Sequence, residues 1–105
     1  MKPVLLSADR DIFVYEVPDN IAKKLHNRCL DFISYYNNDP DFKRKHFDSK
    51  LNCVRFDVIR EFIEYIDKLT YANFNNEKCV FIENLGNISE DEIPEKYKKC
   101  NWFNF

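Results

Sequence analysis

The sequence has only one glycine and four prolines in 105 residues. Sandwiches and barrels with many strands need many tight turns, which glycine and proline commonly supply, so their scarcity argues against such folds. No apolar run approaches the roughly 20 residues of a membrane-spanning helix. The short apolar start is interrupted by Asp9 and does not have the pattern of a signal peptide. We therefore expect a cytoplasmic protein with no membrane partner.

Neither sign of charge is in clear excess, since 16 lysines and arginines face 18 acidic residues and the formal net charge is −2. Proteins that bind nucleic acid present a basic surface to the phosphates. The overall charge therefore predicts no nucleic-acid partner.

Closely spaced cysteine pairs are also missing. Zinc sites usually contain such pairs, whereas Cys29, Cys53, Cys79 and Cys100 lie far apart. The spacing predicts no metal site and no cofactor, and without an export signal the thiols are expected to be reduced. Cys100, next to Trp102, is predicted to be the most reactive of the four.

Aromatic residues are abundant: 10 phenylalanines, 6 tyrosines and 1 tryptophan. A ring transferred from water into a core contributes roughly 1.5–3 kcal/mol. The chain is long enough to form one such core. We expect a single α+β domain over residues 1–105, with large rings providing much of the buried surface.

The order of the predicted elements is β-β-α-α-β. Residues 4–7 and 12–17 are apolar and flank a polar turn, which predicts an antiparallel hairpin. Apolar residues at helical spacing then predict one helix from Pro18 to about residue 37 and a second from the N-cap Asp57 to about residue 70. Residues 78–84 form the third predicted strand, and Gly86 is expected in a turn with positive φ.

These elements predict a two-layer α+β domain, in which two packed helices cover a three-stranded, mostly antiparallel sheet. The strands are apolar on both sides, but two helices cover only one face. An aromatic C-terminal tail, residues 97–105, is the expected cover for the other face. A second copy of the chain and a different protein are the open alternatives, so the protein is expected to be a monomer or a homodimer.

Two histidines are the candidates for acid–base chemistry. His26 lies at the edge of the first predicted helix, and His46 follows the basic residues Lys43 to Lys45 in a predicted loop. A pair of this kind can cleave RNA, but nothing in the spacing brings the two rings together. No catalytic residue is therefore predicted, and a small nucleic-acid-processing enzyme that uses His26 and His46 remains the alternative hypothesis.

The last third of the chain carries a resemblance. Its motifs are Phe81-Ile82-Glu83-Asn84-Leu85-Gly86, Pro94-Glu95-Lys96-Tyr97-Lys98-Lys99-Cys100 and Asn101-Trp102-Phe103-Asn104-Phe105. This part of the chain resembles small uncharacterised proteins of low-GC bacteria. Small acidic α+β proteins without catalytic motifs are similar to immunity proteins of polymorphic or contact-dependent toxin systems.

The resemblance implies a non-enzymatic protein that neutralises a toxin by binding it directly. Such a protein needs a folded scaffold and a complementary surface, often acidic against a basic nuclease toxin. The candidate partner-binding residues are acidic, apart from one aromatic: Glu61 and Glu64 on the second helix, Glu83, Glu90, Asp91 and Glu92 near the third strand, and Trp102. A homodimer of another role is a further alternative.

Overall fold

The chain begins with the predicted antiparallel hairpin. A computed structural model describes residues 1–72 and 77–105, and in it β1 (Lys2–Ala8) pairs with β2 (Asp11–Val17) with Leu5 opposite Val14. Asp9, in the two-residue turn, has a φ of 63°, a left-handed conformation that aspartate tolerates better than most residues. The hairpin prediction is confirmed.

The first predicted helix is divided in two. Helix α1 (Asp19–Lys23) ends and α2 (Leu25–Asn38) begins at Lys24, whose φ and ψ are −115° and 32°. Helix α1 contacts β1, whereas α2 contacts the C-terminal strand. The break at Lys24 therefore separates two helices that pack on different strands of the sheet. The prediction of one continuous helix was wrong here, because both halves follow the same apolar periodicity.

The polar segment expected as a loop contains a third helix. Helix α3 (Pro40–Lys45) starts at Asp39, whose Oδ1 accepts the backbone N–H of Asp41 at 3.1 Å. Proline in the first turn and a capping aspartate are both standard signals of a helix start. The sequence predicts a short extended segment over residues 51–56 with Cys53 facing inward. A small hairpin of β3 (Phe47–Asp48) and β4 (Cys53–Val54) forms there instead, and it leaves Cys53 exposed.

Helix α4 (Val58–Ala72) begins where the sequence predicted, since Asp57 Oδ1 accepts the backbone N–H of Arg60 at 3.2 Å. It runs two residues beyond its predicted end. The three asparagines within residues 71–77 predict a loop there, of which residues 73–76 lie outside the described part of the chain. Strand β5 (Val80–Gly86) follows, and Gly86 has the expected positive φ, 79°.

The main sheet has four strands in the order β5-β2-β1-β6. The fourth strand, β6 (Trp102–Asn104), pairs in parallel with the free edge of β1. The α+β class is confirmed, whereas the prediction of a three-stranded sheet was wrong. The sequence did not show β6 because its three residues are too few to establish the alternation of a strand. Two 3₁₀ turns, Glu90–Glu92 and Glu95–Tyr97, connect β5 to β6, whereas Pro94 at a first helical position predicts one short helix over residues 94–100.

The helices cover one face of this sheet. Val4, Leu6 and Val17 face them there, and the cluster is completed by fully or almost fully buried residues of the helices: Ile21, Ala22, Leu25, Cys29, Phe32, Ile59, Phe62 and Ile66. Phe103 and Phe105 pack against this same cluster. The aromatic tail thus joins the core between helices and sheet rather than forming a separate layer.

The second face of the sheet is covered by the 3₁₀ turns. Ile93 and Tyr97 pack on Leu5, Ile12 and Val14, and all five are buried. The expectation that residues 97–105 cover this face therefore holds for Tyr97 and not for the two terminal phenylalanines. Within residues 1–72 and 77–105, no helix is both long and apolar enough to cross a membrane.

Candidate functional site

A groove of about 190 Å³ lies between α2, α3 and α4. Its walls carry Tyr35 from the last turns of α2, Asp39 and Asp41 from the start of α3, and Glu64 and Tyr65 from α4. We call it the acidic groove, because carboxylates outnumber the lysines that line it. The short α3 creates it by returning the chain towards α4.

Two stacked tyrosines form the aromatic part of the acidic groove. The ring centroids of Tyr35 and Tyr65 lie 5.6 Å apart with an interplanar angle of 29°. The ring of Tyr65 also contacts that of buried Phe32, with a centroid distance of 5.4 Å. Tyr35 also contacts buried Phe42 at 5.9 Å, yet 45% of its surface remains exposed. Burial and then the neighbouring Asp39 carboxylate raise the pKa of the Tyr35 phenol. The pair is an aromatic surface partly open to solvent.

The carboxylates around this pair differ in their availability. Asp41 forms an ion pair with Arg44 at 3.3 Å in which both side chains are exposed, and such pairs contribute little to stability. Within the described residues no ion pair engages Glu64, including the pair with Lys68 that helical spacing would allow. Glu64 and Asp41 can therefore bind an incoming cation at small cost.

Glu61 is not free in this way, because it binds His46. His46 Nε2 lies 3.1 Å from Glu61 Oε1, and His46 Nδ1 lies 2.9 Å from the carbonyl oxygen of Phe42. A carbonyl oxygen only accepts, so Nδ1 carries a hydrogen. Both side chains are only 13% exposed. The contact joins the end of α3 to α4, and nothing in the sequence predicted it because the two residues are 15 positions apart.

The two histidines belong to different parts of the molecule. His26, near the start of α2, contacts Phe103 of β6 with ring centroids 5.5 Å apart, whereas His46 contacts α4. The structure therefore does not bring the two candidate acid–base groups together. Among the described residues, no group of three or more histidine, cysteine or acidic side chains has an arrangement that could hold a metal ion.

The remaining predicted residues lie away from the acidic groove. Glu83 of β5 accepts a 2.5 Å hydrogen bond from the Tyr97 hydroxyl and lies 3.7 Å from Lys96 Nζ. Glu92 is engaged with Ser89 in a capping box. The structural roles of Glu83 and Glu92 reduce their availability to a partner.

Glu90 and Asp91 are exposed on the first 3₁₀ turn, beyond the second face of the sheet. Trp102 lies in β6, at the sheet edge opposite β5. The candidate partner-binding residues are thus divided among three surfaces, of which only the one on α4 forms part of the acidic groove.

Tyr35, Asp39, Asp41 and Tyr65 are among the groove residues that the sequence did not single out. A signal was present for the two acids, since Asp-Pro-Asp marks the stop of one helix and the start of another. Tyr35 gave no signal, because it is adjacent to the core position Tyr36 and follows the polar Ser34. Only the position of α4 shows that Tyr35 has an aromatic partner.

The edge strand β5 carries a second unusual surface. Val80, Phe81 and Ile82 are consecutive and exposed, and only β2 pairs with this strand among the described elements. Consecutive apolar residues on an edge strand favour pairing with another chain. The homodimer hypothesis keeps a structural basis here, and light scattering during size-exclusion chromatography tests it.

Comparison with known proteins identifies no relative: no protein-family model, no curated protein and no solved structure matches this chain.

Proposed function

We propose that this chain is a non-enzymatic binding protein whose acidic groove takes a basic segment of a partner protein, as an immunity protein binds a toxin. The observation that carries the proposal is the stacked pair of Tyr35 and Tyr65, open to solvent and flanked by carboxylates. An arginine placed over a tyrosine face gains a cation–π attraction and can also pair with a carboxylate. Glu64 and Asp41 are placed to supply that carboxylate.

The groove also has the features of an affinity hot spot. Tyrosine is enriched among residues whose truncation costs 2 kcal/mol or more, and such residues are usually held rigidly before binding. Phe32 and Phe42 hold the tyrosine pair in place. The carboxylates would mainly increase the association rate and select a basic partner.

The direct test uses the protein encoded by the gene immediately upstream. If its C-terminal domain is a toxin, co-expression with this chain should restore growth, and calorimetry should detect the complex. Tyr35→Ala is expected to weaken binding by about 30-fold or more. Glu64→Gln is expected to weaken binding by a larger factor at low salt than at high salt. Asp91→Asn removes the same charge from the 3₁₀ turn and serves as the matched control. An upstream product that is neither toxic nor bound would contradict the proposal.

The alternative of a nucleic-acid-processing enzyme rests on His46 at the edge of the groove. Both ring nitrogens of His46 are engaged, by the Phe42 carbonyl oxygen and by Glu61, so His46 would have to release one of these contacts before it could act as a general base. Incubation of the purified protein with RNA and DNA tests it. Cleavage that is lost in His46→Ala and retained in His26→Ala would replace the binding proposal.

A further inference from the structure

The acidic groove has room for one side chain of a partner. Its volume of about 190 Å³ lies below the range of roughly 300–1,000 Å³ that is typical of sites for drug-sized ligands. A partner helix or loop would therefore lie across the groove and insert a single residue into it. The proposed function requires only that this residue be basic.

The charges that line the groove also favour one cation over a cluster of cations. Four carboxylates and two lysines line it: Asp39, Asp41, Glu61, Glu64, Lys45 and Lys68. One of the four carboxylates, that of Glu61, is already engaged with His46 at 3.1 Å. The negative charge that remains is enough to attract one cation, whereas several cations would also be repelled by the two lysines.

The cations of the chain itself show which kind of group engages these carboxylates. Lys45 and Lys68 line the groove, yet within residues 1–72 and 77–105 neither of them forms an ion pair. Arg44, in contrast, pairs with Asp41 at 3.3 Å, and both side chains are exposed. Such an exposed pair contributes little to stability, so Asp41 can exchange Arg44 for an incoming guanidinium at small cost.

The tyrosine pair adds a reason to prefer a planar cation. Tyr35 contacts two other rings and still has 45% of its surface exposed. A guanidinium is planar, stacks on aromatic rings and donates five N–H groups in its own plane, whereas an ammonium is a compact and strongly hydrated point charge. The carboxylates come from two helices, with Asp41 on α3 and Glu64 on α4. A guanidinium stacked on Tyr35 can therefore donate in more than one direction.

We propose that the acidic groove binds one arginine side chain of the partner and discriminates against lysine, with the guanidinium stacked on Tyr35 and paired with Asp41 or Glu64. The inference rests on the proposed function, because it takes a protein as the occupant of the groove. It goes further by naming the side chain that is recognised. A change of that arginine to lysine in the partner is then not conservative.

Short peptides with one basic residue test the discrimination directly. The probes are acetyl-Gly-Gly-Arg-Gly-Gly-amide, its lysine counterpart of equal charge, and a citrulline counterpart that keeps the shape of arginine without its charge. NMR titration at low salt follows the ring signals of Tyr35 and Tyr65. We expect saturable shifts with the arginine peptide and binding of the lysine peptide that is weaker by about threefold or more. The citrulline peptide should bind most weakly.

Variants of the groove locate the source of the preference. Tyr35→Leu removes the ring and should abolish the preference for arginine, whereas Tyr35→Phe keeps the ring and should retain it. Phe81→Leu is the matched control, since it removes a ring that is 52% exposed from β5, and it should leave the preference unchanged. Circular dichroism checks folding, and Glu64→Gln, which should weaken both charged peptides, provides a second test of the groove if the leucine variant does not fold.

Two results would overturn the inference: equal affinity of the wild-type protein for the arginine and lysine peptides, or a preference for arginine that persists in Tyr35→Leu. Neither result removes the proposed function, which needs only a basic partner. An upstream product that does not bind would remove the proposed function and leave a measured preference for arginine intact. If the upstream product binds, exchange of its arginines for lysine one at a time should weaken the complex by about threefold or more at one position.

Discussion

The C-terminal Phe105 connects the tail to the core, and its truncation to alanine tests that connection. The ring lies 5.4 Å from Phe62, 6.3 Å from Phe32 and 4.8 Å from Phe103. The backbone N–H of Phe105 donates to the carbonyl oxygen of Ser7 at 2.8 Å. Phe105→Ala keeps this hydrogen bond and removes only the ring contacts.

The expected cost follows from the burial of the ring. Truncation of a fully buried phenylalanine costs about 3–5 kcal/mol, but Phe105 is half-buried, so water can fill part of the space that the ring leaves. We expect a loss of about 2 kcal/mol in the free energy of unfolding. In a domain of this size, that loss lowers the melting temperature by about 8–16 °C.

Thermal and urea unfolding followed by far-UV circular dichroism measure the effect. Leu30→Ala is the matched control, since Leu30 is a large apolar residue exposed on α2 and its truncation should change stability by less than about 0.5 kcal/mol. If Phe105→Ala unfolds within the error of Leu30→Ala, the terminal ring does not belong to the core. Its contacts with Phe62 and Phe32 would then not describe the protein in solution.

Three further predictions concern the turn, the thiols and the pH dependence. Gly86→Ala should destabilise the protein by about 1–2 kcal/mol in urea unfolding. The cost comes from backbone strain alone, since φ is 79° and an added Cβ would contact nothing within 4 Å. An unchanged urea midpoint would contradict the positive φ at Gly86. Cys53, which is exposed, should react with a thiol reagent before Cys100, whose thiol pKa is raised by burial. This order differs from the prediction from sequence that Cys100 is the most reactive thiol. Mass spectrometry of partly labelled protein measures which cysteine reacts first. The hydrogen bond to Glu83 and then burial raise the pKa of the Tyr97 phenol. This interaction therefore stabilises the fold fully below the phenol's pKa in the unfolded chain, about 10, and the stabilisation is lost as pH rises through the pKa in the folded protein. Tyr97→Phe should be less stable than wild type at neutral pH, and the difference between their urea midpoints should shrink in alkali.

Much of the fold was predictable because its signals are local. The hairpin of β1 and β2, the cap at Asp57 and the turn at Gly86 each depend on residues within a few positions of one another. The break at Lys24 and the strand β6 were not predictable in this way. Their positions depend on which part of the sheet has a free edge or a face to cover, and a residue's neighbours in the sequence do not contain that information.

The candidate sites were less predictable than the fold. Apolar periodicity placed Glu61 and Glu64 on the second helix, but Glu61 contacts His46, and within residues 1–72 and 77–105 no ion pair engages Glu64. Trp102 was expected to bind a partner, whereas its indole Nε1–H donates to Ser7 Oγ at the edge of the sheet. In both cases the residue type was evident from the sequence and its partners were not.

The sequence by itself determined the α+β class, the hairpin and the apolar faces of the helices, because hydrophobic periodicity and caps act over one or two turns of chain. Only the tertiary structure decided which charges share a surface. Packing brings α3 against α4 and the C-terminal strand against β1, which places Tyr35 among carboxylates and the indole of Trp102 beside Ser7. A chain of net charge −2 can therefore concentrate carboxylates in one groove, because net charge is a sum over residues whereas binding depends on how the fold distributes them.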